Sequence, residues 1–487
     1  MKGNRMLVMV VVIAAIVGAV AYLSNFGLAG DNVSSPQEET ASSESSPPAT
    51  LSDEEAFAKF QQAFQLIQDR YVDEVDEEKL LQGAIEGMLG TLDDPYSVYM
   101  DPETAAEFVQ SLDSHFEGIG AEVSMTNGYV TIVAPFRESP AEKAGLQPND
   151  RILEIDGEST EGLSLYEAVL KIRGEKGTTV DLTIERPGAS NVVNITVERD
   201  EIPIETVHVH RFERNGLTIG MLEITSFSED TADRFEEGLA QLEGEGIDGL
   251  IIDVRGNPGG YLNAVEDIGS LIIPEGEPIV QIQNRDGEKM RYLSTLKEEK
   301  PYPIVGLTDR GSASASEILA AALKEAGHYD VVGETTFGKG TVQQSIELGD
   351  GSEIKLSLFR WLTSDGNDIN GVGVEPTVEV LQPDYFYTAP LSVEEPLELD
   401  MLNDQIEHAQ MMLKGLGFEP GRTDGYFGEQ TEKAVRAFQD SQELETTGVL
   451  DEETAIALQQ SIVDLVRDQE NDQQLRVALD LIVEQAQ

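Results

Sequence analysis

The run Gly311-Ser312-Ala313-Ser314-Ala315-Ser316-Glu317 opens directly into the apolar helical pattern Ile318 to Leu323. Small side chains let a substrate backbone come close, and the N–H groups of a first helical turn favour developing negative charge. Taken alone, such a run is more often a helix cap than a nucleophile. A second cluster, Thr336-Phe337-Gly338-Lys339-Gly340-Thr341-Val342-Gln343, sets a lysine among glycines after a hydrophobic strand segment. Desolvation in a tight apolar turn lets a lysine lose its proton at moderate pH, and a neutral amine can deprotonate a serine. The histidines (His115, His208, His210, His328, His408) fall in no Ser/His/Asp spacing, and there is no G-x-S-x-G elbow. His208 and His210 share a strand face, but two ligands without a third are usually ordinary strand residues, so no metal is expected. A third cluster, Asp253-Val254-Arg255-Gly256-Asn257-Pro258-Gly259-Gly260, follows the buried strand Gly249 to Ile252. Its glycines could present N–H groups to an acyl oxygen; standing alone it reads as a strand-to-helix turn.

These residues need a scaffold, and 487 residues divide into about three domains. From Ser52 to Phe116 the pattern is helical, with Phe57, Phe60, Phe64, Ile67 and Tyr71 at i, i+3 and i+4 spacing and a capping box at Ser52 and Glu55. From Gly118 to about Glu198 short alternating strands take over, such as Tyr129 to Val133 and Val180 to Ile184. From Val207 to Val380, strands (Ile219 to Ile224, Gly249 to Val254, Pro303 to Leu307) alternate with amphipathic helices, an α/β core whose longest helix is expected to begin beside Ser314. From Met401 to about Ser461 helical segments are punctuated by glycines, a charged helical tail follows, and no tandem repeat of 20 to 50 residues is found.

At the N-terminus, Lys2 and Arg5 precede an apolar run of 18 residues, Met6 to Leu23, long enough to span a bilayer as a helix. The positive-inside bias then exports everything after it. A retained anchor is favoured over a signal peptide cleaved near Ala19-Val20-Ala21. From Asp31 to Pro48, Ser, Glu, Pro and Thr make an unfolded tether. With 91 acidic against 33 basic residues the formal charge is −58, which excludes nucleic acid as a partner. The absence of cysteine removes disulfides, thiolate sites, cysteine nucleophiles and a lipoprotein anchor.

The three clusters together, in this order, resemble the C-terminal processing peptidases, the S41 family of Ser/Lys-dyad serine proteases. The resemblance covers about residues 50 to 380; Leu92-Asp-Asp-Pro-Tyr-Ser-Val-Tyr-Met100 looks like the family's N-terminal helical region, and Val254 stands where leucine is commoner. It implies Ser314 as nucleophile, Lys339 as base, Gln343 as the residue orienting the amine, and the N–H groups of Gly259 and Ala315 as the oxyanion hole. It also implies that residues 117–200 form a PDZ domain, similar to the family's usual companion, with Gly118-Ile119-Gly120-Ala121 as the loop receiving a peptide carboxylate and Arg173 coupling the domain to the active site. The tail looks like a peptidoglycan-binding module. The expected fold is thus multidomain α/β: anchor or signal segment 1–27, linker 28–50, helical region 51–116, PDZ domain 117–200, crotonase-like (Clp-like) protease core 201–395, peptidoglycan-binding-like domain 398–462, and helical tail 463–487.

The function implied is an extracytoplasmic serine endopeptidase that recognises the C-termini of exported proteins near the cell wall, tethered to the membrane or secreted if the leader is cleaved. Its expected partners are peptides with free C-termini, peptidoglycan, the membrane through the N-terminal segment, and a second copy of the chain; no cofactor is expected. The alternative is a catalytically idle scaffold with the same two binding domains. A cell-wall hydrolase would need paired catalytic carboxylates, which cannot be picked out among so many surface acids.

Overall fold

The computed structural model describes residues 52–112, 115–126, 128–136, 139–147, 149–186, 192–393 and 395–487. The expected anchor and tether lie outside the described residues, and no helix among the described ones is long and apolar enough to cross a membrane. The chain divides into two compact units, Met1–Leu80 and Leu81–Gln487. In the first, α1 (Asp53–Arg70) starts at the expected capping box, where Ser52 Oγ accepts the Glu55 N–H at 3.3 Å and Glu55 Oε2 accepts the Ser52 N–H at 3.0 Å. No residue of α1 is buried, and of its apolar stripe Phe57, Phe60, Ile67 and the capping Tyr71 are exposed while Phe64 is half-buried. The next helix is α2 (Glu77–Gly90).

The segment that resembled a helical region is instead extended from Val98, forming β1 (Val98–Met100), and α3 (Pro102–Leu112) comes after it. A two-stranded pair, β2 (His115–Gly118) with β9 (Asp200–Pro203), brackets the small domain at its entry and exit. Between them lie β3 (Ala121–Thr126), β4 (Tyr129–Pro135), α4 (Pro140–Lys143), β5 (Arg151–Ile155), β6 (Glu158–Ser159), α5 (Leu165–Ile172), β7 (Thr179–Glu185) and β8 (Val193–Glu198). The sheet runs β3-β4-β5-β7-β8, leaving β3 at an edge. Alternate residues of β7, Val180, Leu182 and Ile184, point into its core, the period-two signature of a half-buried strand.

The α/β core contains β10 (Val207–Arg214), β11 (Leu217–Ile224), α6 (Thr231–Glu245), β12 (Gly249–Asp253), α7 (Leu262–Ile272), β13 (Pro278–Gln283), β14 (Lys289–Leu293), β15 (Ile304–Thr308), α8 (Ala315–Ala321), β16 (Asp330–Gly333), β17 (Thr341–Glu347), β18 (Glu353–Leu362) and β19 (Val378–Glu379). One sheet runs β10-β11-β12-β15-β16-β19, parallel from β11 onward; a second, antiparallel sheet runs β1-β18-β13-β14 with β17 also on β18. The helix beside Ser314 is not the longest in the core. It has 7 α-helical residues and widens into a π turn at Ala322–Ala326, whereas α6 has 15. The π turn closes where the Gly327 N–H donates to Ala322 O at 2.8 Å.

The glycine-punctuated segment forms α9 (Asp404–Gly415), α10 (Glu429–Ser441) and α11 (Glu452–Arg467) around Met412, Phe427, Phe438 and Leu458. Two buried glutamines repeat one device there. Gln410 Oε1 accepts the Gly425 N–H while its Nε2 donates to Thr431 Oγ1; Gln439 Oε1 accepts the Gly448 N–H while its Nε2 donates to Thr454 Oγ1. This internal repetition is carried by a glutamine, a glycine and a threonine in each half, which is why no repeat stood out in the sequence.

The final helix, α12 (Gln473–Gln485), is not a separate tail. Leu475, Ala478, Leu479, Ile482 and Val483 cover the face of the parallel sheet formed by Ile219, Met221, Ile251, Val305, Leu307 and Val332. The opposite face packs against α6, α7 and α8, and a parallel sheet needs both faces covered. Gly249 lets the helix come close: a Cβ there would lie 2.2 Å from Ile482 Cγ2. Of the expected tail 463–487, residues 463–467 finish α11 and α12 belongs to the α/β core, so the three-helix module is an insertion within that core.

Candidate active site

Ser314 stands at the N-terminus of α8 with φ 54° and ψ −112°, a conformation that costs a non-glycine residue roughly 1–3 kcal/mol. The strain lifts its side chain out of a wall of buried neighbours: Ser312, Ala313, Ala315, Ser316 and Glu317 are all buried, while Ser314 is partly exposed. The flanking serines are braces. Ser312 Oγ donates to Val254 O and Ser316 Oγ donates to Asn257 O, both at 2.8 Å, so each clamps the run 311–317 against the loop 253–260; Ser314 takes no part in that clamping. Gly259 packs directly on it, since a Cβ there would lie 2.8 Å from Ser314 Cβ and 3.1 Å from the Ala315 nitrogen.

Glu317, one turn into α8 and fully buried, brings the two clusters together. Its Oε2 accepts the backbone N–H of Ser314 and of Lys339, each at 2.8 Å, and its Oε1 accepts the Gly338 N–H and the Thr336 hydroxyl, each at 2.6 Å. The amide nitrogens of Ser314 and Lys339 therefore lie within two hydrogen-bond lengths of each other. Burial pushes the Glu317 carboxyl up, opposed by these four bonds.

The Lys339 turn is built by close backbone approach. A Cβ on Gly338 would lie 2.9 Å from the Val372 nitrogen, one on Gly340 2.8 Å from the Asn370 nitrogen, and Trp361 Nε1 donates to Lys339 O at 2.7 Å. Burial pushes the Lys339 ammonium down to about 8, and Lys355 adds to this by like-charge repulsion while Glu317 and Asp94 oppose it. Its Nζ sits 5.0 Å from the centre of the Tyr96 ring.

Tyr96 and Asp94 were missed as site residues. They lie more than 240 positions from Lys339 in the chain, and only the pairing of β1 with β18 carries them there. Asp94 Oδ2 accepts the Ser97 hydroxyl at 2.5 Å, and Ser97 Oγ accepts the Ser357 N–H at 3.0 Å. The Gln343 amide nitrogen donates to Ser357 Oγ at 3.2 Å and to Thr341 Oγ1 at 2.8 Å, so its NH2 is tied into this polar row.

One expected oxyanion donor is engaged elsewhere. The Gly259 N–H donates to Asn257 Oδ1 at 2.8 Å, and the fully buried Asn257 is itself fixed by Nδ2 to Ile224 O at 2.8 Å. The loop satisfies its buried amide internally, as buried backbone must. Ala315 is the first residue of α8.

The residues expected to bind a peptide carboxylate form a second group, in the small domain. Gly118, Ile119, Gly120 and Ala121 pass from β2 into the edge strand β3. Ile119 O accepts the Ala141 N–H, and Gly120, at φ 71°, has no room for a side chain against Ser139. Arg173 caps α5, with its guanidinium 5.2 Å from the Phe116 ring and its side chain against Gly118. Of the histidine pair, His210 Nε2 is 2.9 Å from Glu223 Oε2.

Residues 218–380 match Peptidase family S41, 111–185 the PDZ domain, 403–458 the peptidoglycan binding domain, and 15–104 the activating protease CtpB N-terminal domain. The chain is 55% identical over 426 residues to the carboxy-terminal processing protease CtpB of Bacillus subtilis (strain 168), covering 88% of this chain and 89% of that one. The chain belongs to the carboxy-terminal processing proteases. It is a serine-type endopeptidase of family S41 with a PDZ domain and a peptidoglycan-binding domain. Carboxy-terminal processing protease CtpA of the same organism is 39% identical, with 88% of this chain and 90% of that one covered. Among solved structures, the photosystem II D1 C-terminal processing protease is 29% identical and covers 66% of this chain and 92% of its own, with a TM-score of 0.41. In this S41 core the backbone amides of Ser314 and Lys339 share the Glu317 carboxylate.

Proposed function

We propose that the protein is an extracytoplasmic endopeptidase using a Ser314/Lys339 dyad, with its PDZ domain reading the C-termini of exported substrates and its three-helix module holding it at the cell wall. The observation that carries this reading is the single buried carboxylate of Glu317 binding the amides of both Ser314 and Lys339. Neutral Lys339 takes the proton of Ser314 Oγ as that oxygen attacks the scissile carbonyl. The resulting ammonium protonates the leaving amine, and water hydrolyses the acyl-enzyme. The Ala315 N–H stabilises the oxyanion, joined by the Gly259 N–H when it exchanges Asn257 Oδ1 for the substrate oxygen. Gln343 and the row through Ser357, Ser97 and Asp94 hold the surroundings of the amine.

A peptide adding to the edge of β3 would place its carboxylate at Gly118–Ala121, beside Arg173. The 6–23 apolar run anchors the chain, and the largely exposed stripe of α1 is a surface for a second copy. Activity of Ser314→Ala, Lys339→Ala and the double variant tests the dyad. Groups acting as one unit lose nearly equal activity singly and together. Full activity of either single variant would require another nucleophile or base, and a folded parent protein without peptidase activity would favour the scaffold reading.

A further inference from the structure

The described structure holds a buried ionic network that the dyad does not use, and it joins the end of the chain to the loop beside Ser314. Arg255, in the loop 253–260, is chelated by Asp253: Nε donates to Oδ1 at 2.9 Å and NH2 donates to Oδ2 at 2.6 Å. Its remaining branch turns to the start of α12, where NH1 lies 2.8 Å from Asp472 Oδ2 and 3.0 Å from Gln474 Oε1. Asp472 is fixed in turn, since its Oδ1 accepts the Gln382 amide at 2.6 Å and caps α12 by accepting the Leu475 N–H at 2.9 Å. Gln474 Nε2 donates to Val380 O at 2.9 Å. The side chains of Arg255, Asp253 and Asp472 are 17%, 6% and 12% exposed, so little solvent competes for these contacts.

The backbone held by Arg255 is the backbone that clamps the nucleophile. Val254 O and Asn257 O, on either side of it, receive Ser312 Oγ and Ser316 Oγ. Asn257 O also accepts the Ala313 N–H at 3.0 Å. A shift of Arg255 is thereby transmitted to both flanks of Ser314 and to Gly259.

We propose that Asp472 is a positioning residue for Ser314, acting through Arg255 and the loop 253–260. This rests on the reading of Ser314 as the nucleophile. It makes the segment following the three-helix module a working part of the protease. It also gives the module's insertion point, a few residues after α11, a direct mechanical connection to the catalytic loop.

The test is Asp472→Asn in the full chain. Asparagine keeps the size, the helix cap and an acceptor for Arg255 but removes the charge. Active sites are titrated with a serine-directed acylating reagent, and kcat and KM for a peptide substrate are expressed per titrated site. The expected result is a kcat lower by about 10- to 100-fold, short of the 10²–10³ that losing an oxyanion donor costs, with KM within about twofold and partial recovery in Asp472→Glu. A purely structural role would lower the melting temperature and the number of titratable sites while leaving kcat per site unchanged, and that result overturns the inference. If Asp472→Asn does not fold, Gln382→Met, which removes the neutral donor to Asp472 Oδ1 and Gln474 Oε1 and the acceptor of the Gln473 N–H but leaves the Arg255–Asp472 pair, is read by the same criteria. Ser314→Ala is measured alongside: if it is active the dyad reading falls, whereas an inactive Ser314→Ala with an unimpaired folded Asp472→Asn removes this inference alone.

Discussion

Glu317 Oε2 accepts the Lys339 N–H at 2.8 Å, so the residue that caps the helix beginning at Ser314 also holds the turn that carries the Lys339 amine. Removing that carboxylate orphans three buried amides and a hydroxyl, each worth about 1–3 kcal/mol when left unpaired. Glu317→Ala is expected to lose at least about 3 kcal/mol of stability by urea denaturation and to be inactive. Glu317→Gln should fold better but turn over poorly, because its NH2 faces amide donors that need an acceptor.

The backbone at Ser314 is strained in a way that glycine relieves, since positive φ with negative ψ is open to a residue without Cβ. Ser314→Gly is therefore expected to be inactive yet more stable than the parent by roughly 1 kcal/mol. Ser312→Ala should behave oppositely, losing stability with its bond to Val254 O and only part of its activity, since Ser316 Oγ still clamps the loop at Asn257 O. Paired thermal unfolding and peptidase assays check both.

Lys339 binds its proton less tightly in the folded chain, at about 8, than in the unfolded chain, at the ordinary lysine value of 10.5. Between those values the unfolded state carries the extra proton, so stability rises with pH across that window, and below about 8 the full burden is present. Lys339→Met should therefore be more stable at pH 7 by on the order of 3 kcal/mol, with the advantage shrinking as pH approaches 10.5. Denaturant midpoints for both proteins at pH 7 and pH 10 give the comparison; a constant gap would mean that the ammonium is not destabilised by burial.

If the Gly118–Ala121 segment receives a free carboxylate, converting a substrate's C-terminal acid to the amide should raise KM at least tenfold with the scissile bond unchanged. The difference should disappear when residues 118–200 are deleted, provided the deletion variant still reacts with a serine-directed reagent. Equal KM for acid and amide in the full chain would leave the PDZ domain without this role.

Much of the site was legible because its chemistry is local. Ser314 and Lys339 each sit in a short run whose small residues are demanded by close backbone packing, as at Gly338 and Gly340. The strands with strict alternation or continuous apolar runs, such as β7 and β12, formed where their patterns put them. What stayed hidden depends on contacts between distant segments. Tyr96 reaches Lys339 only through the pairing of β1 with β18, and nothing in the charged appearance of α12 announces that Leu475, Leu479 and Ile482 line one face for the parallel sheet. The commitment of the Gly259 amide to Asn257 is likewise a matter of side-chain geometry that a Gly-Gly pair does not encode.

The dyad is tested most directly by the rate at which a fluorophosphonate labels the protein as a function of pH, with the labelled residue located by peptide mass spectrometry. The prediction is a single adduct on Ser314, absent in Ser314→Ala, whose formation rate rises with a midpoint near 8, as the Lys339 amine loses its proton, and loses that rise in Lys339→Ala. Labelling at another serine, or a midpoint unchanged by Lys339→Ala, would contradict the assignment of Ser314 as nucleophile and Lys339 as its base.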